Sequence, residues 1–400
     1  MEILAPRMKR FKPSASTEAS ARARALREAG RDIIDFSIGE PDFATPDNIK
    51  AAVSVAMDND ETHYTNTNGT VAVRKAVQLK FERENNLSFS LDEVMVSSGA
   101  KHTMFNAFMC TVSAGDAVIV PSPYWISYPN QVELAGGTPV IVDCTRDTGF
   151  KLTADSLKAA ISSKTKWLVL NSPNNPTGAI YSRQELRHLA DVLLEHPAVW
   201  VMSDEIYEHF LYDDAEHVSI LEVEPALKDR TLLVNGVSKA YAMTGWRIGY
   251  VAGPAPLIKA MTKLQSQSTS CPSSISQAAT VEALTGSQQS ISESMSILQD
   301  RRNVIAGILT EKSKLSINVP AGAMYLFCNC ESYYEMETPE GKTIASDVDF
   351  TEYLLSHAGV NVVPGAAYGI SGYFRLSFAT STEILNEGGR RIVQACNDLA

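Results

Sequence analysis

The 400-residue chain lacks the patterns that most directly indicate a metal site or a membrane protein. It contains neither a CxxC pair nor an HExxH motif, and its six cysteines and seven histidines are scattered. No apolar run approaches the roughly 18 residues that a membrane-spanning helix requires. These absences favour a protein with no metal, no membrane partner, and free thiols in a reducing compartment.

The chain has no excess of basic residues either. Its formal net charge is −11, with acidic and basic residues interspersed, which argues against a nucleic-acid partner. The N-terminal stretch "MEILAPRMKR" lacks the apolar core of a secretory signal. Because 44% of the residues are hydrophobic, a substantial core is expected, and the composition predicts a cytoplasmic globular protein.

Short apolar runs alternate with helical patterns between about residues 90 and 255. Examples of the runs are "EVMVSSG", "DAVIVPSPYW", "KWLVLNSP", "AVWVMSDE" and "RTLLVNGVSK". Continuous apolar strands that alternate with helices predict an α/β fold with a mostly parallel sheet covered by helices on both faces. In such sheets, ligands bind at the carboxyl ends of the strands.

The pattern changes toward the C-terminus. "GAMYLFCNC", "NVVPGAAY" and "YFRLSFAT" predict strands of a smaller α+β unit, closed by a helix that begins at Thr382. We therefore predict an N-terminal arm with part of a small domain over residues 1–45. A large domain is predicted over 46–290, and the rest of the small domain over 291–400.

Two helix starts are indicated by their local residues. Thr45-Pro46 predicts a helix with Thr45 as the N-cap and proline in the first turn. Ser182 followed by Glu185 three residues later is a capping box.

Polar residues follow several of the predicted strands, where a ligand is expected. Ser98-Gly99-Ala100 joins a strand to a helix, and the free N–H groups of such a turn can bind a phosphate. Arg247 can add a charged, bidentate contact to the same group. The alternative is that turns between strands and helices are simply rich in glycine and serine.

Asp204 ends the apolar run "VWVMSD", where a carboxylate is costly to bury unless it is paired. A protonated heterocyclic nitrogen would be a suitable partner, and Tyr207 could reach the same ligand. The alternative is that Asp204 caps a helix.

Lys239 also stands at the end of a buried run. Burial and a neighbouring cation both lower the pKa of a lysine, which frees its amine for Schiff-base chemistry. The alternative is a lysine that emerges into solvent. Taken together, a phosphate, a pyridinium nitrogen, an aldehyde for Lys239 and a ring for Trp125 to stack on outline one ligand, which is pyridoxal phosphate.

Six motifs are spread over nearly the whole chain: "GEPDF", "SPYWISYP", "NSPNNPTGA", "SDEIYEH", "SKAYAMTGWRIGY" and "YFRLSFATS". With these motifs the sequence resembles the class I aminotransferases of fold-type I, in the bacterial aspartate aminotransferase branch. The resemblance implies a seven-stranded, mostly parallel sheet in the large domain, pyridoxal phosphate as the cofactor, and a homodimer with shared active sites.

The resemblance also implies roles for individual residues. Lys239 forms the Schiff base with the cofactor and then moves a proton between the substrate and the cofactor. Asp204 keeps the ring nitrogen protonated, Tyr207 and Asn175 bind the ring hydroxyl, and Trp125 stacks on the ring. The phosphate is bound by the backbone of Gly99, Ala100 and Lys101, by Ser238 and Arg247, and by Tyr64 of the neighbouring subunit.

For the substrate, the resemblance implies that Arg375 binds the α-carboxylate with help from Asn175, Trp125 and the backbone of Gly39. A planar guanidinium suits this task because it binds a carboxylate through two hydrogen bonds. The Asn175–Pro176 peptide bond is expected to be cis, as in relatives.

Two lysines are expected to contact the distal part of the substrate, which is the side chain beyond the α-carbon. The side chain of Lys101 is predicted to bind a second carboxylate, and a lysine at position 12 favours prephenate in some relatives. We therefore expect transfer of an amino group from aspartate to 2-oxoglutarate, giving oxaloacetate and glutamate. Activity on aromatic amino acids or prephenate is a possible extension.

Other functions share parts of these patterns. A pyridoxal-phosphate β-lyase would use the same core residues. A serine acyl enzyme is suggested by Ser98-x-x-Lys101, but no K-T-G or S-D-N motif accompanies it. The loop "YTNTNGTVAVR" around Tyr64 lacks the proline that many relatives have there.

Overall fold

The computed structural model describes residues 3–11 and 15–400 of the chain. Lys12 lies outside the described residues, so its predicted role stays a prediction. The α-helices are, in chain order, α1 (Ala15–Glu28), α2 (Asp47–Asp58), α3 (Val71–Asn85), α4 (Ala100–Thr111), α5 (Ser127–Ala135), α6 (Ala154–Ala160), α7 (Arg183–Glu195), α8 (Ile220–Val223), α9 (Ala255–Ser266), α10 (Ser274–Thr285), α11 (Gln289–Glu311), α12 (Asp347–Tyr353) and α13 (Thr382–Asn397).

The β-strands are mostly short. They are β1 (Ile34–Asp35), β2 (Val94–Ser97), β3 (Ala117–Ser122), β4 (Thr138–Asp143), β5 (Thr165–Asn171), β6 (Trp200–Asp204), β7 (Thr231–Gly236), β8 (Gly249–Ala252), β9 (Ser316–Ile317), β10 (Tyr325–Asn329), β11 (Val360–Asn361), β12 (Val363–Pro364) and β13 (Tyr373–Ser377).

Within the described residues, a large sheet has seven strands in the order β2-β8-β7-β6-β5-β3-β4. The pairs from β7 to β4 are parallel, whereas β8 runs antiparallel to both of its neighbours, β2 and β7. The prediction of a mostly parallel sheet is therefore confirmed, with β8 as the exception.

Helices cover both faces of the large sheet, as the continuous apolar strands predicted. Along β5, Leu168 and Leu170 belong to one hydrophobic cluster, while Trp167 and Val169 belong to a second cluster. Because successive side chains of a strand point to opposite faces, these two clusters lie on opposite sides of the sheet. Both faces of the central strand β5 are thus removed from water, whereas the edge strand β4 stays partly exposed.

The C-terminal strands form a small antiparallel sheet in the order β12-β13-β10-β9. A separate parallel pair joins β1 to β11, so the N-terminal segment packs with the C-terminal strands. The helix predicted from Thr382 is confirmed as α13. The boundaries predicted at residues 45/46 and 290/291 stay predictions.

Both predicted helices are present, but only one of the two predicted caps is confirmed. Ser182 and Glu185 form the capping box of α7. Thr45 does not cap α2, whose N-cap is Pro46. The Thr45 hydroxyl instead donates to the carbonyl of Ala242 and accepts from the indole N–H of Trp246, so it is not available to the helix.

Across the described part of the chain, every helix is too short or too polar to cross a membrane.

Candidate active site

A cavity of about 320 Å³ opens at the carboxyl ends of β5, β6 and β7. Asn171 and Asp204 are the last residues of β5 and β6, and Ser238 and Lys239 follow the end of β7. The predicted site residues that line this cavity are Gly39, Ala100, Lys101, Trp125, Asn175, Asp204, Tyr207, Ser238, Lys239, Arg247 and Arg375. The sheet therefore collects residues from distant parts of the chain at one edge.

Lys239 turns into the cavity and does not emerge into solvent, so the solvent-exposed alternative is wrong. Its half-buried Nζ donates a hydrogen bond to the carbonyl oxygen of Gly39 at 2.6 Å and lies 5.7 Å from the centre of the Tyr207 ring. Burial, followed by the positive charge of Arg375, lowers the pKa of the Lys239 amine to about 8. A substantial fraction of this amine is therefore neutral and nucleophilic near pH 8.

Asp204 is 3% exposed, and no helix follows it directly, so the helix-cap alternative is wrong. One carboxylate oxygen accepts from the Tyr128 hydroxyl at 2.5 Å, and the other accepts from the N–H of Ile206 at 3.2 Å. Burial raises the pKa of this carboxyl to about 6. A carboxylate held in such surroundings would be stabilised by a cation in the cavity.

Glycine at position 99 has a structural reason in the turn before α4. Gly99 is the N-cap residue and adopts φ = +95°, a region in which side chains are strained. A Cβ atom on Gly99 would also clash with Nη2 of Arg247. Since the N–H groups of Ala100 and Lys101 lie in the first turn, they have no acceptor within the helix. The turn therefore combines free N–H donors with a guanidinium, as a phosphate site requires.

Arg375 lies on β13 and is 3% exposed. Its Nη1 donates to Oδ1 of Asn175 at 3.0 Å, and its Nη2 donates to the carbonyl of Ser37 at 2.5 Å. Within the described residues its Nε has no hydrogen-bond partner. A buried guanidinium without a carboxylate partner is suited to bind an anion.

Lys101 and Trp125 meet at the mouth of the cavity. Nζ of Lys101 lies 4.9 Å from the centre of the Trp125 ring, and the lysine side chain is exposed. Desolvation by the surrounding pocket, followed by the charge of Arg247, lowers the pKa of Lys101. The amine can therefore face a group that enters the cavity from solvent.

Two predicted residues do not line the cavity. Gly99 stands behind it, next to Arg247. Tyr64 is 90% exposed and lies in a separate surface depression between α2 and α10. Within one subunit Tyr64 thus faces solvent.

The predicted cis bond at Asn175–Pro176 is wrong. In the described chain, the cis bonds are Ser122–Pro123 and Ser172–Pro173. The segment around Pro176 forms a tight turn in which the N–H of Gly178 donates to the carbonyl of Asn174 at 2.8 Å, and a trans proline fits inside it.

Sequence reasoning missed several residues that line the cavity, namely Ile38, Glu40, Met104, Tyr128, Ile206, Thr244 and Tyr325. Among them, Tyr128 binds Asp204, Tyr325 shares a 2.7 Å hydrogen bond with the Tyr207 hydroxyl, and Thr244 donates to Glu40. Tyr128 lies inside the motif "SPYWISYP", three residues after Trp125, which was the one available signal.

Comparison with known proteins agrees with this geometry. Residues 31–392 match the family described as aminotransferase class I and II. The chain belongs to this family. It is an aminotransferase of fold-type I that depends on pyridoxal phosphate.

Individual relatives are similar over nearly their whole length. The aspartate aminotransferase of Rhizobium meliloti is 50% identical over 380 residues, which cover 95% of this chain and 93% of that protein. A probable aspartate/prephenate aminotransferase of Rhizobium leguminosarum bv. phaseoli is 49% identical and covers 99% of both chains. The crystal structure of the Rhizobium meliloti aspartate aminotransferase superposes with a TM-score of 0.98 at 48% identity, over all of both chains.

The residues present fit the cofactor. The cavity volume suits a small molecule. A lysine with a lowered pKa, a buried carboxyl with a raised pKa, and a turn with free N–H groups beside a guanidinium match an aldehyde, a pyridine nitrogen and a phosphate.

Proposed function

We propose that this aminotransferase moves the amino group of L-aspartate to 2-oxoglutarate, giving oxaloacetate and L-glutamate. The observation that carries the proposal is that Lys239, Asp204 and Arg375 line one cavity. These residues offer an amine for the cofactor, a carboxylate for its ring nitrogen and a guanidinium for the carboxylate that every amino acid and 2-oxo acid has. The names of the relatives, aspartate and aspartate/prephenate aminotransferase, support aspartate as the donor.

Different residues would hold the aldehyde, the ring and the phosphate of the cofactor. Lys239 would join its aldehyde, and Asp204, oriented by Tyr128, would keep its ring nitrogen protonated. Tyr207 and Asn175 would donate to the ring hydroxyl, and Trp125 would cover the ring face. The phosphate would be bound by the N–H groups of Ala100 and Lys101 in the turn that Gly99 opens, and by Ser238 and Arg247.

When bound, the cofactor supplies an electron-poor ring that accepts the electron pair left when the substrate Cα loses its proton. The chain itself supplies the positioning and the proton transfer. Arg375, held by Asn175 and Ser37, would fix the α-carboxylate and so orient the Cα–H bond. Lys239, freed from the cofactor, would then take that proton, for which a pKa of about 8 is well suited.

The second carboxylate of aspartate or 2-oxoglutarate would meet Lys101. The support for this role is an exposed amine at the mouth of the cavity, on the first turn of α4. The position of Lys12 lies outside the described residues, and we retain it as a second contact that would extend the range to prephenate. Aromatic amino acids would be accepted as a side activity.

We further propose a homodimer in which Tyr64 reaches the phosphate bound by the neighbouring subunit. An exposed tyrosine that shares a depression with Val55 and Val281 suits a surface that another chain covers. A cytoplasmic location would agree with six free cysteines, four of which are buried.

Borohydride trapping followed by an amino-donor panel tests the proposal. Purified protein mixed with pyridoxal phosphate should absorb in the near-visible region, and reduction should fix the cofactor on Lys239, as peptide mass analysis would show. With 2-oxoglutarate as acceptor, aspartate should give oxaloacetate and glutamate. The panel should also include a donor with a thiolate leaving group on Cβ, such as cystathionine. Release of that thiol with pyruvate and ammonia, in place of a new amino acid, would support the β-lyase alternative and refute transamination.

A further inference from the structure

We propose that Tyr325 is a positioning residue that connects the carboxylate site at Arg375 to the hydroxyl of Tyr207. Binding of a carboxylate to Arg375 would thereby weaken the hydrogen bond that Tyr207 donates to the cofactor. The inference rests on the functions proposed above for Arg375 and Tyr207. It assigns a role to a tyrosine that comes from the small sheet.

The strand register places Tyr325 beside Arg375. On the paired strands β10 and β13, Tyr325 is opposite Ser377 and Phe327 is opposite Arg375. Tyr325 and Arg375 are therefore diagonal neighbours on one face, within reach of an aromatic and a long side chain. The guanidinium carbon lies 4.4 Å from the centre of the Tyr325 ring, close enough for a cation–π interaction.

The hydroxyl end of Tyr325 reaches the other half of the site. Its oxygen lies 2.7 Å from the hydroxyl oxygen of Tyr207, and both side chains are buried. A Cβ atom built on Gly39 would lie 2.7 Å from the same Tyr325 oxygen, so this hydroxyl packs against the backbone that accepts the Lys239 hydrogen bond. One side chain thus touches Arg375, Tyr207 and Gly39.

The two hydroxyls share one hydrogen bond, so only one of their protons is used in it. Burial raises the pKa of both hydroxyls and the charge of Arg375 opposes both rises, but the pKa of Tyr207 is raised the further of the two. The Arg375 guanidinium lies directly against the Tyr325 ring. Tyr325 is therefore the better donor, and when it donates, Tyr207 keeps its own proton to offer to the cavity that it lines.

A carboxylate bound to Arg375 offsets the positive charge beside the Tyr325 ring. Tyr325 then becomes a weaker donor, and the hydrogen bond from Tyr207 into the cavity weakens with it because hydrogen bonds in a chain reinforce one another. The other titratable groups that face Tyr207 are Asp204, Lys239 and Tyr128, and substitution of Tyr325 leaves them in place.

Asn175 offers a second connection from Arg375 and must be separated from the first. Tyr325→Phe removes only the hydroxyl and keeps both the ring against Arg375 and the contact with Asn175. The matched control is Tyr368→Phe. The Tyr368 ring lies 5.2 Å from the Arg375 guanidinium carbon, but within the described residues its buried hydroxyl has no hydrogen-bond partner.

The measurement is the near-visible absorbance of the protein loaded with pyridoxal phosphate, titrated with pH, alone and with saturating maleate. Maleate offers carboxylates but no amino group, so no transfer occurs. The midpoint is the pH at which half of the cofactor chromophore has lost a proton. A hydrogen bond donated to the ring oxygen of the cofactor stabilises the deprotonated chromophore, so weakening this hydrogen bond raises the midpoint. We expect Tyr325→Phe to raise the midpoint by about half to one pH unit. Maleate should raise the midpoint of the unsubstituted protein, and should raise it less in Tyr325→Phe.

Tyr368→Phe should leave the midpoint and the maleate response unchanged. The proposal is overturned if Tyr325→Phe matches the unsubstituted protein in both, if the control shifts equally, or if maleate has no effect on the unsubstituted protein. In a Tyr207→Phe background, removing the Tyr325 hydroxyl should add no further shift; an independent shift would show another route and overturn the proposal. If the unsubstituted protein shows no near-visible absorbance band, or if borohydride does not fix the cofactor on Lys239, the proposed function itself has failed.

Discussion

The amine of Lys239 and the carbonyl oxygen of Gly39 are joined by a hydrogen bond of 2.6 Å across 200 residues of sequence. Gly39 belongs to the N-terminal segment that follows β1, whereas Lys239 follows β7 of the large sheet. This contact holds the amine inside the cavity, beside Arg375 and Asp204. The reactivity of Lys239 is therefore determined by groups from both ends of the chain.

The pH dependence of cofactor loading should report on these groups. Because the pKa of Lys239 is lowered to about 8, the cofactor-free protein should bind pyridoxal phosphate faster as the pH rises through that value. Arg375→Leu removes a cation that lowers this pKa, so the midpoint of the rate should move upward. Stopped-flow absorbance measures the rate, and Arg187→Leu, outside the cavity, serves as the control. A midpoint that stays the same in Arg375→Leu would contradict the assignment.

Asp204 should cost stability in the absence of the cofactor. Its folded-state pKa of about 6 lies above the usual 3.8, so the carboxyl destabilises the folded state as the pH rises from about 4 to 6, and this cost persists at higher pH. At pH 7.5, Asp204→Asn should stabilise the cofactor-free protein by about 1–3 kcal/mol, since the amide carries no charge. Thermal unfolding at pH 4 and pH 7.5 measures this, and the gain should disappear at pH 4.

The same substitution should weaken the stabilisation that the bound cofactor provides. Asp204→Asn removes the negative charge that would face the ring nitrogen, so pyridoxal phosphate should raise the melting temperature less than it does in the unsubstituted protein. An equal or larger rise in Asp204→Asn would contradict this expectation, and a loss of stability in the cofactor-free variant at pH 7.5 would refute the preceding one.

The sequence predicted the strand ends well because that pattern is local. Apolar runs that end in polar residues located Asp204 and Lys239, and parallel pairing then brought them to one edge of the sheet. Tyr128 and Tyr325 were missed because their hydroxyl partners lie 76 and 118 residues away, and a tyrosine in an apolar run looks like any core residue. Thr45 fits a helix cap by local rules, but tertiary partners took its hydroxyl.

The turn before α4 provides a test that separates backbone strain from the loss of a phosphate site. Gly99→Ala places a Cβ at φ = +95° and against Arg247, so we expect lower stability together with a markedly higher dissociation constant for pyridoxal phosphate. Gly115→Ala has nearly the same φ of +98°, but nothing lies within 4 Å of its added Cβ. Each variant should lose about 1–3 kcal/mol of stability from strain. If both variants bind the cofactor equally well, Arg247 is not part of the phosphate site.

A buried ion pair lies behind the strand ends and should be essential for folding stability. Lys80 is fully buried and contacts Glu208, whose other neighbours include Asn235, a hydrogen-bond donor at 2.5 Å. Burial raises the pKa of Glu208 while Lys80 lowers it, and the balance brings it to about 2. Glu208 is therefore charged at neutral pH, and its buried negative charge is compensated by the amine of Lys80.

Lys80→Met should lower the free energy of unfolding by about 3–5 kcal/mol, because it leaves the carboxylate of Glu208 buried without its cation. The matched change Lys158→Met breaks a surface pair with Glu195, in which both side chains are 61% exposed, and should cost less than about 1 kcal/mol. Urea unfolding of both variants measures the difference, and a loss in Lys80→Met as small as that expected for Lys158→Met would show that the buried pair contributes little.

The distal charge of the substrate provides the test of Lys101. Lys101→Ala removes the exposed amine at the mouth of the cavity, so kcat/KM for aspartate should fall roughly 10- to 100-fold, as expected for loss of a charged hydrogen bond of about 1.5–3 kcal/mol. Phenylalanine has no second carboxylate, so its kcat/KM should change little. Steady-state kinetics with each donor measures the ratio.

Two further variants separate charge from shape at this position. Lys101→Arg keeps the positive charge and should preserve most of the preference for aspartate, while Lys166→Ala removes a lysine that pairs with Asp116 outside the cavity and should leave both donors unaffected. If Lys101→Ala lowers kcat/KM equally for aspartate and phenylalanine, the side chain supports the cofactor site through α4 and does not select the substrate. In that case the distal carboxylate must be bound by another group, of which the predicted contact Lys12 would be the next to test.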